Sequence, residues 1–305
     1  AAYYVTYTDV NSSDWSWANA INSATRSCVP LFFMITGYLF LGQKYPQMRH
    51  ILRVVTSIIV YSCFAVAVIW FFSGNLPVKQ ILAAPYRPVF HHLWYLYAVL
   101  GIYVMASIFA LRVPTSWLSF VALLFLMFVL NDAGLTPVGS KIALDGNSVI
   151  YLLLAASGAV LGNLLPSIEE MRRALISRAA LVLFCVCTAG IALLTHQVTG
   201  AAGSFVNTYY VYTHPLVIGA AMSAFTWLHL VSPPKFLAGF IKNISQNSLA
   251  IYGVHALVLE VVRRIANRFE APAYLEIAIV FMSVLLVSCL IARLLRKVDR
   301  NGYFT

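Results

Sequence analysis

The sequence predicts an all-α, polytopic integral membrane protein, and three observations lead there. Hydrophobic residue types make up 61% of the 305 residues, only 10% are charged, and the mean hydropathy is +0.83. A soluble domain carries about a quarter of its residues charged to cover its surface, so the solvent of this chain must be largely lipid. Second, the apolar residues fall into nine runs of the length a helix needs to cross a hydrocarbon core about 30 Å thick. Third, those runs are continuous and bordered by Pro and Gly, not alternating, which fits helices and excludes a lipid-facing β-barrel.

In chain order the expected spans are 27–42, 52–73, 91–111, 115–131, 148–165, 179–196, 208–230, 247–264 and 273–293. The first 26 residues are polar and aromatic, with no apolar stretch of a signal peptide. Arg26 opens the first run, four residues before the helix-compatible Pro30. His91-His92-Leu93-Trp94-Tyr95 opens the third, and Arg112 to Pro114 leaves a very tight connection to the fourth. The seventh opens at Asn207-Thr-Tyr-Tyr210, with Pro215 expected inside the span, where it frees a carbonyl and distorts the helix. The eighth is entered at Asn247. No soluble domain, repeat or low-complexity segment interrupts the series, so residues 1–305 read as one membrane domain.

Charge gives the orientation. Lys44, Arg49, Arg53, Arg112, Arg172, Arg173, Arg178, Lys235, Lys242, Arg293, Arg296, Lys297 and Arg300 fall on one set of sides, 13 of the 20 basic residues. By the positive-inside rule that set is cytoplasmic, so the C-terminus lies inside and Ala1 outside. A chain that starts outside must have been carried there. A further span is therefore expected before Ala1, giving ten helices with both termini inside. The formal charge of +10 is this topological signal together with attraction to membrane lipid headgroups. No basic, aromatic-interleaved soluble face points to nucleic acid.

The five cysteines lie in or at the edges of apolar runs and read as buried apolar residues. Cys185 and Cys187 point in roughly opposite directions on a helix, and no metal site is expected.

Polar side chains placed inside spans are expensive, so each is a functional candidate. Arg26 either snorkels to the outer interface or serves a site. His92 and Trp94 read either as an interfacial aromatic belt or as a hydrogen-bonding His beside a stacking platform for a sugar. Ser248, Tyr252 and His255 share one helical face, which puts His255 about 12 Å deep from Asn247, lining a cavity or a helix interface. Glu260 is expected to pair with Arg263 or Arg264 on its own helix. Arg26, His91, His92, Tyr209 and Tyr210 all start helices on the outer side, and a polar cavity opens outward if those helices adjoin. No phosphate loop, zinc-protease spacing or nucleophile elbow is present, and Gly37 and Gly42 do not form one.

The segment Arg26-Ser-Cys-Val-Pro-Leu-Phe-Phe-Met-Ile-Thr-Gly-Tyr-Leu-Phe40 resembles the membrane acyltransferase-3 family, as do His92-Leu-Trp-Tyr-Leu96 and Ser248-Leu-Ala-Ile-Tyr-Gly-Val-His255. The order and spacing of these segments carry the resemblance. It implies ten helices in a bacterial inner membrane, acetyl-CoA reached from the cytoplasm as co-substrate, and a glycan or lipid-linked glycan acceptor on the periplasmic side. It also implies a catalytic-base His on a helix preceding Ala1. Arg26 matches the family's second-helix Arg, His92 and Trp94 its His-Leu-Trp segment, and His255 a Tyr-Gly-x-His segment.

The expected reaction is acetyl transfer to a sugar hydroxyl. A general base must take the hydroxyl proton, and the oxyanion formed on the thioester carbon needs a donor. Arg26, His92 and His255 are the catalytic candidates. Trp94, Tyr209, Tyr210 and Tyr252 are the acceptor-binding candidates, and Lys44, Arg49 and Arg53 the cations available to CoA phosphates. A secondary transporter or lipid-linked glycan flippase is the rival reading, although no pair of matched broken helices is visible.

Overall fold

Each of the nine apolar runs holds a helix, because lipid offers the backbone no partner and its own i−4 carbonyl must serve. The computed structural model describes residues 2–41, 45–108, 115–130, 146–266 and 271–305. The tight connection at Arg112 to Pro114 lies outside these residues. Among the described residues all regular elements are helical.

The chain forms two units, each assembled from two stretches of sequence. The first comprises residues 1–45 and 109–232. It holds α1 (Ala2–Tyr7), α2 (Ser13–Thr25), α3 (Cys28–Phe40), α7 (Trp117–Leu130), α8 (Gly146–Leu164), α9 (Glu170–Ala202) and α10 (Pro215–Leu230). The second comprises residues 46–108 and 233–305. It holds α4 (Met48–Ser73), α5 (Val78–Ala83), α6 (Trp94–Ile108), α11 (Lys235–Gln246), α12 (Ser248–Ala266) and α13 (Ala273–Val298).

In the first unit α3 packs on α8 through small residues. A Cβ on Gly37 would lie 1.7 Å from the Ala155 carbonyl oxygen, and one on Gly158 would lie 2.0 Å from that of Met34. Only glycine at both positions lets the two backbones approach this closely, the usual device where lipid supplies no hydrophobic drive between helices. The N-terminal segment, polar and aromatic in sequence, is helical. Ser12 caps α2 by accepting the Trp15 N–H at 3.1 Å, and the buried Trp15 indole donates to the Val5 carbonyl at 3.1 Å. Asn19 Nδ2 then ties α2 to α9 through the Ala192 carbonyl at 2.9 Å.

In the second unit α4 packs on α6 and α12, and α12 on α13. A Cβ on Gly253 would lie 2.4 Å from the Tyr61 ring, so glycine again sets the α4–α12 approach. The C-terminal segment folds back on α4: Asp299 accepts the N–H groups of Tyr303, Phe304 and Thr305, and the Tyr61 hydroxyl donates to the Phe304 carbonyl at 2.6 Å. Burial pushes the Asp299 carboxyl up, but these N–H groups and the Thr305 hydroxyl outweigh it, so its pKa lies below the ordinary carboxylate value.

Five helical segments among the described residues are long and apolar enough to cross a membrane: Met48–Ser73, His91–Ile108, Ser148–Ser167, Glu170–Ala202 and Ala273–Val298. The other four runs give shorter or more charged helices, α3, α7, α10 and α12. Two expectations are corrected. Pro215 does not kink a span; it is the first residue of α10, where a missing N–H breaks no bond, and His214 caps the helix by accepting the Leu216 N–H at 3.2 Å. Of the cysteines only Cys187 is buried, while Cys28, Cys63 and Cys185 are exposed and Cys289 is partly so. Their apolar helices turn those thiols to the protein's outer face, which hydropathy alone does not distinguish from its core. Glu260 pairs with Arg264 at 3.0 Å, as its i,i+4 spacing predicts.

Candidate functional site

Arg26 stands at the break between two helices. It follows the last residue of α2 and precedes Ser27, the N-cap of α3. One turn back on α2, Asn22 Oδ1 accepts from Arg26 Nη2 at 3.2 Å. The guanidinium carbon lies 4.7 Å from the Tyr210 ring centre and 5.7 Å from that of Tyr212, a cation held against two π faces. Tyr210 is buried, and its hydroxyl donates to Asn19 Oδ1, so the ring under Arg26 is itself fixed to α2.

Two donors at this spot are buried and have no hydrogen-bond partner, Arg26 Nε and Asn22 Nδ2. Leaving such groups unmet is costly, so each is a donor for which the fold itself supplies no acceptor. Arg26 also lines a pocket of about 280 Å³ with Thr6, Tyr151, Asn207, Tyr210 and Tyr212 among its walls. Phe33 stacks on Tyr151 at 4.5 Å and holds that wall in place. A fixed cation among tyrosines and amides suits a small polar group carrying a carbonyl or hydroxyl oxygen.

The second unit gathers His92, Tyr252 and His255. His92 lies in the short 3-10 turn His91–Leu93 that leads into α6. Its Nε2 lies 3.1 Å from the Gly253 carbonyl oxygen, and the Tyr252 hydroxyl donates to the His92 carbonyl. A carbonyl only accepts, so Nε2 carries the hydrogen and Nδ1 keeps a lone pair, which is buried and without a partner. His255 Nδ1 lies 2.7 Å from the Tyr252 carbonyl, which by the same logic leaves its Nε2 as an acceptor. The two imidazole centres are 5.3 Å apart, edge to face. Each ring therefore presents one nitrogen able to take a proton. Along the same unit runs an apolar cavity of about 670 Å³, walled by α4, α5, the segment containing Val89, and α6, with Ser62 and Tyr97 as its main polar members.

The sequence candidates thus separate into two groups. Arg26 and Tyr210 meet in the first unit, while Tyr209 turns to His214, with ring centres 5.0 Å apart, and is absent from the pocket wall. His92, Tyr252 and His255 meet in the second, with Trp94 reached through Tyr95 at 6.5 Å and Tyr95 in turn 5.6 Å from Tyr252. Arg49 is exposed on α4, whereas Arg53 Nη2 donates to the Thr305 carbonyl. Lys44 lies outside the described residues.

Asn22, Tyr151, Asn207 and Tyr212 were not anticipated. Asn22 was legible in principle: it sits four residues before Arg26, one helical turn once Ser12 is read as a cap. Tyr151 comes from a distant helix, and no local signal marks it. Gly253 looked like an ordinary helical glycine, yet its carbonyl holds His92. No group of His, Cys, Asp and Glu side chains that would hold a metal occurs among the described residues.

Residues 1–293 match the model of the acyltransferase-3 family, described as an acyltransferase domain. No curated protein matches the chain, and no solved structure does.

Proposed function

The chain belongs to the acyltransferase-3 family, and on that premise we propose that it is an O-acetyltransferase. It moves an acetyl group from cytoplasmic acetyl-CoA to a hydroxyl of a periplasm-facing cell-surface glycan, as a multi-pass protein of a bacterial inner membrane with nine spans in this chain. Within the family, the closing Val298-Asp-Arg-Asn301 and the Tyr-rich segment before Pro215 resemble the enterobacterial common antigen O-acetyltransferase.

The observation that carries the reading is the pair of unmet buried donors at Arg26 and Asn22, beside a small polar pocket. Acyl transfer from a thioester passes through a tetrahedral oxyanion, and a pre-placed guanidinium N–H is a donor of the required kind. Arg26 is assigned the acyl carbonyl or an acceptor oxygen, with Tyr210 and Tyr212 holding the cation in place. The sugar hydroxyl must lose a proton as it attacks. Within this chain His92 and His255 each present a ring nitrogen able to take a proton. Trp94 and Tyr209 are assigned to the glycan, Arg49 to a CoA phosphate. A lipid-linked acceptor would find the apolar cavity beside α4 suited to its hydrocarbon tail.

The test is thiol release. Purified full-length protein given acetyl-CoA and glycan should liberate free CoA in step with ester formation on the glycan. A flippase would move glycan across the bilayer and leave the thioester intact.

A further inference from the structure

The connection between α10 and α12, which no expected span covers, holds a short helix of its own. Its helix α11, Lys235-Phe-Leu-Ala-Gly-Phe-Ile-Lys-Asn-Ile-Ser-Gln246, has no buried residue. Twelve residues give a rod about 18 Å long, too short to cross the hydrocarbon core. At 100° per residue Phe236, Leu237, Phe240, Ile241 and Ile244 fall on one side, and Lys235, Lys242 and Gln246 on the other. The apolar side is bare: Phe236 is 82% and Phe240 54% exposed, with Leu237 and Ile241 exposed as well.

The cationic side is equally one-sided. The helix carries no acidic residue. From α13, Arg293 Nη2 reaches Asn243 Oδ1 at 3.3 Å, adding a third cation beside Lys235 and Lys242. The flanks fix the rod's place: Pro233-Pro234 precede it, and Asn247 follows, leading directly into α12.

We propose that α11 lies in the plane of the membrane interface and docks on anionic phospholipid, its phenylalanines among the acyl chains and its lysines at the headgroups. A strongly amphipathic helix with a basic polar face has this as its natural solvent. The charge complementarity selects anionic lipid over zwitterionic lipid, at about fivefold in local lipid preference per lysine.

The test uses the full-length protein in nanodiscs of phosphatidylcholine alone or with phosphatidylglycerol. Spin labels at Phe236 and Phe240 should be reached by oxygen and shielded from a water-soluble nickel complex; labels at Lys242 and Gln246 should show the reverse. Water-accessible labels at all four positions would overturn the docking, and dipolar coupling between labels on two copies would overturn it in favour of self-association. Lys235→Gln with Lys242→Gln should lower the enrichment of phosphatidylglycerol in contact with α11 more than tenfold. Unchanged enrichment would overturn the anionic choice, and retained label accessibility at Phe236 shows that the variant is folded.

Discussion

Replacing Arg26 by Lys, by Ala, and giving it a carboxylate partner through Asn22→Asp separates a site residue from an interfacial anchor. The structure sets the magnitudes. The contact over the Tyr210 ring at 4.7 Å is worth about 0.5–2 kcal/mol, and the hydrogen bond to Asn22 about 1.5–3 kcal/mol. Arg26→Ala should therefore cost measurable stability. Arg26→Lys keeps the charge and one donor, so its melting temperature should stay near wild type. Lys, however, has no second N–H in a fixed plane to meet the oxygen that Nε is placed to hold. Loss of that bond lowers acetyl transfer by about tenfold or more in both variants. Asn22→Asp should act in the opposite sense on the two readouts, adding an ion pair that stabilises the fold while occupying the guanidinium and lowering activity. The assay is acetyl transfer to glycan by full-length protein, normalised to folded protein, beside thermal unfolding in detergent. Near-wild-type activity in Arg26→Ala would remove Arg26 from the site, and unchanged activity in Asn22→Asp would show that its unmet donor is not used.

Tyr252→Phe removes the hydroxyl that holds the His92 carbonyl, and should lower kcat several-fold with KM for acetyl-CoA unchanged, with faster amide exchange at residues 91–93. Gly37→Ala drives a Cβ into the Ala155 carbonyl and should destabilise by about 1–3 kcal/mol or more in thermal unfolding, whereas Gly190→Ala, whose nearest neighbour is a Leu216 methyl at 3.5 Å, should be neutral or stabilising. Asp299 has a lowered folded pKa, so its contribution is complete above the unfolded value near 3.9 and is lost as pH falls through the folded one. Protease resistance of residues 299–305 should accordingly collapse only under strong acid in the wild type, and Asp299→Asn should lose it already at pH 7.

The nine apolar runs were legible because lipid demands long continuous stretches, and all nine became helices. Their lengths were less so. The first run became α3 with Ser27 as its N-cap and Leu41 as its C-cap, and the seventh lost its opening tyrosines to a 3-10 turn because Pro215 starts a helix better than it continues one. Helix α2 escaped notice since hydropathy ignores amphipathic polar helices, and α11 for the same reason. Arg26 and Tyr210 in the first unit, and His92, Tyr252 and His255 in the second, were singled out by the expense of polar groups in spans. Tyr151 and Gly253 were not, because one is brought from a distant helix and the other acts through a backbone carbonyl that every residue possesses.

The central claim, acyl transfer from a cytoplasmic donor to an outward-facing glycan, is tested most directly in sealed membrane vesicles of known sidedness holding the full-length protein. Acetyl-CoA labelled in the acetyl group is supplied to one face at a time, and base-labile label is counted on the glycan. Label on the glycan when donor meets the cytoplasmic face, and none when it meets the other, is the predicted result. Glycan crossing the bilayer with the thioester intact, or labelling from the periplasmic face alone, would contradict the account.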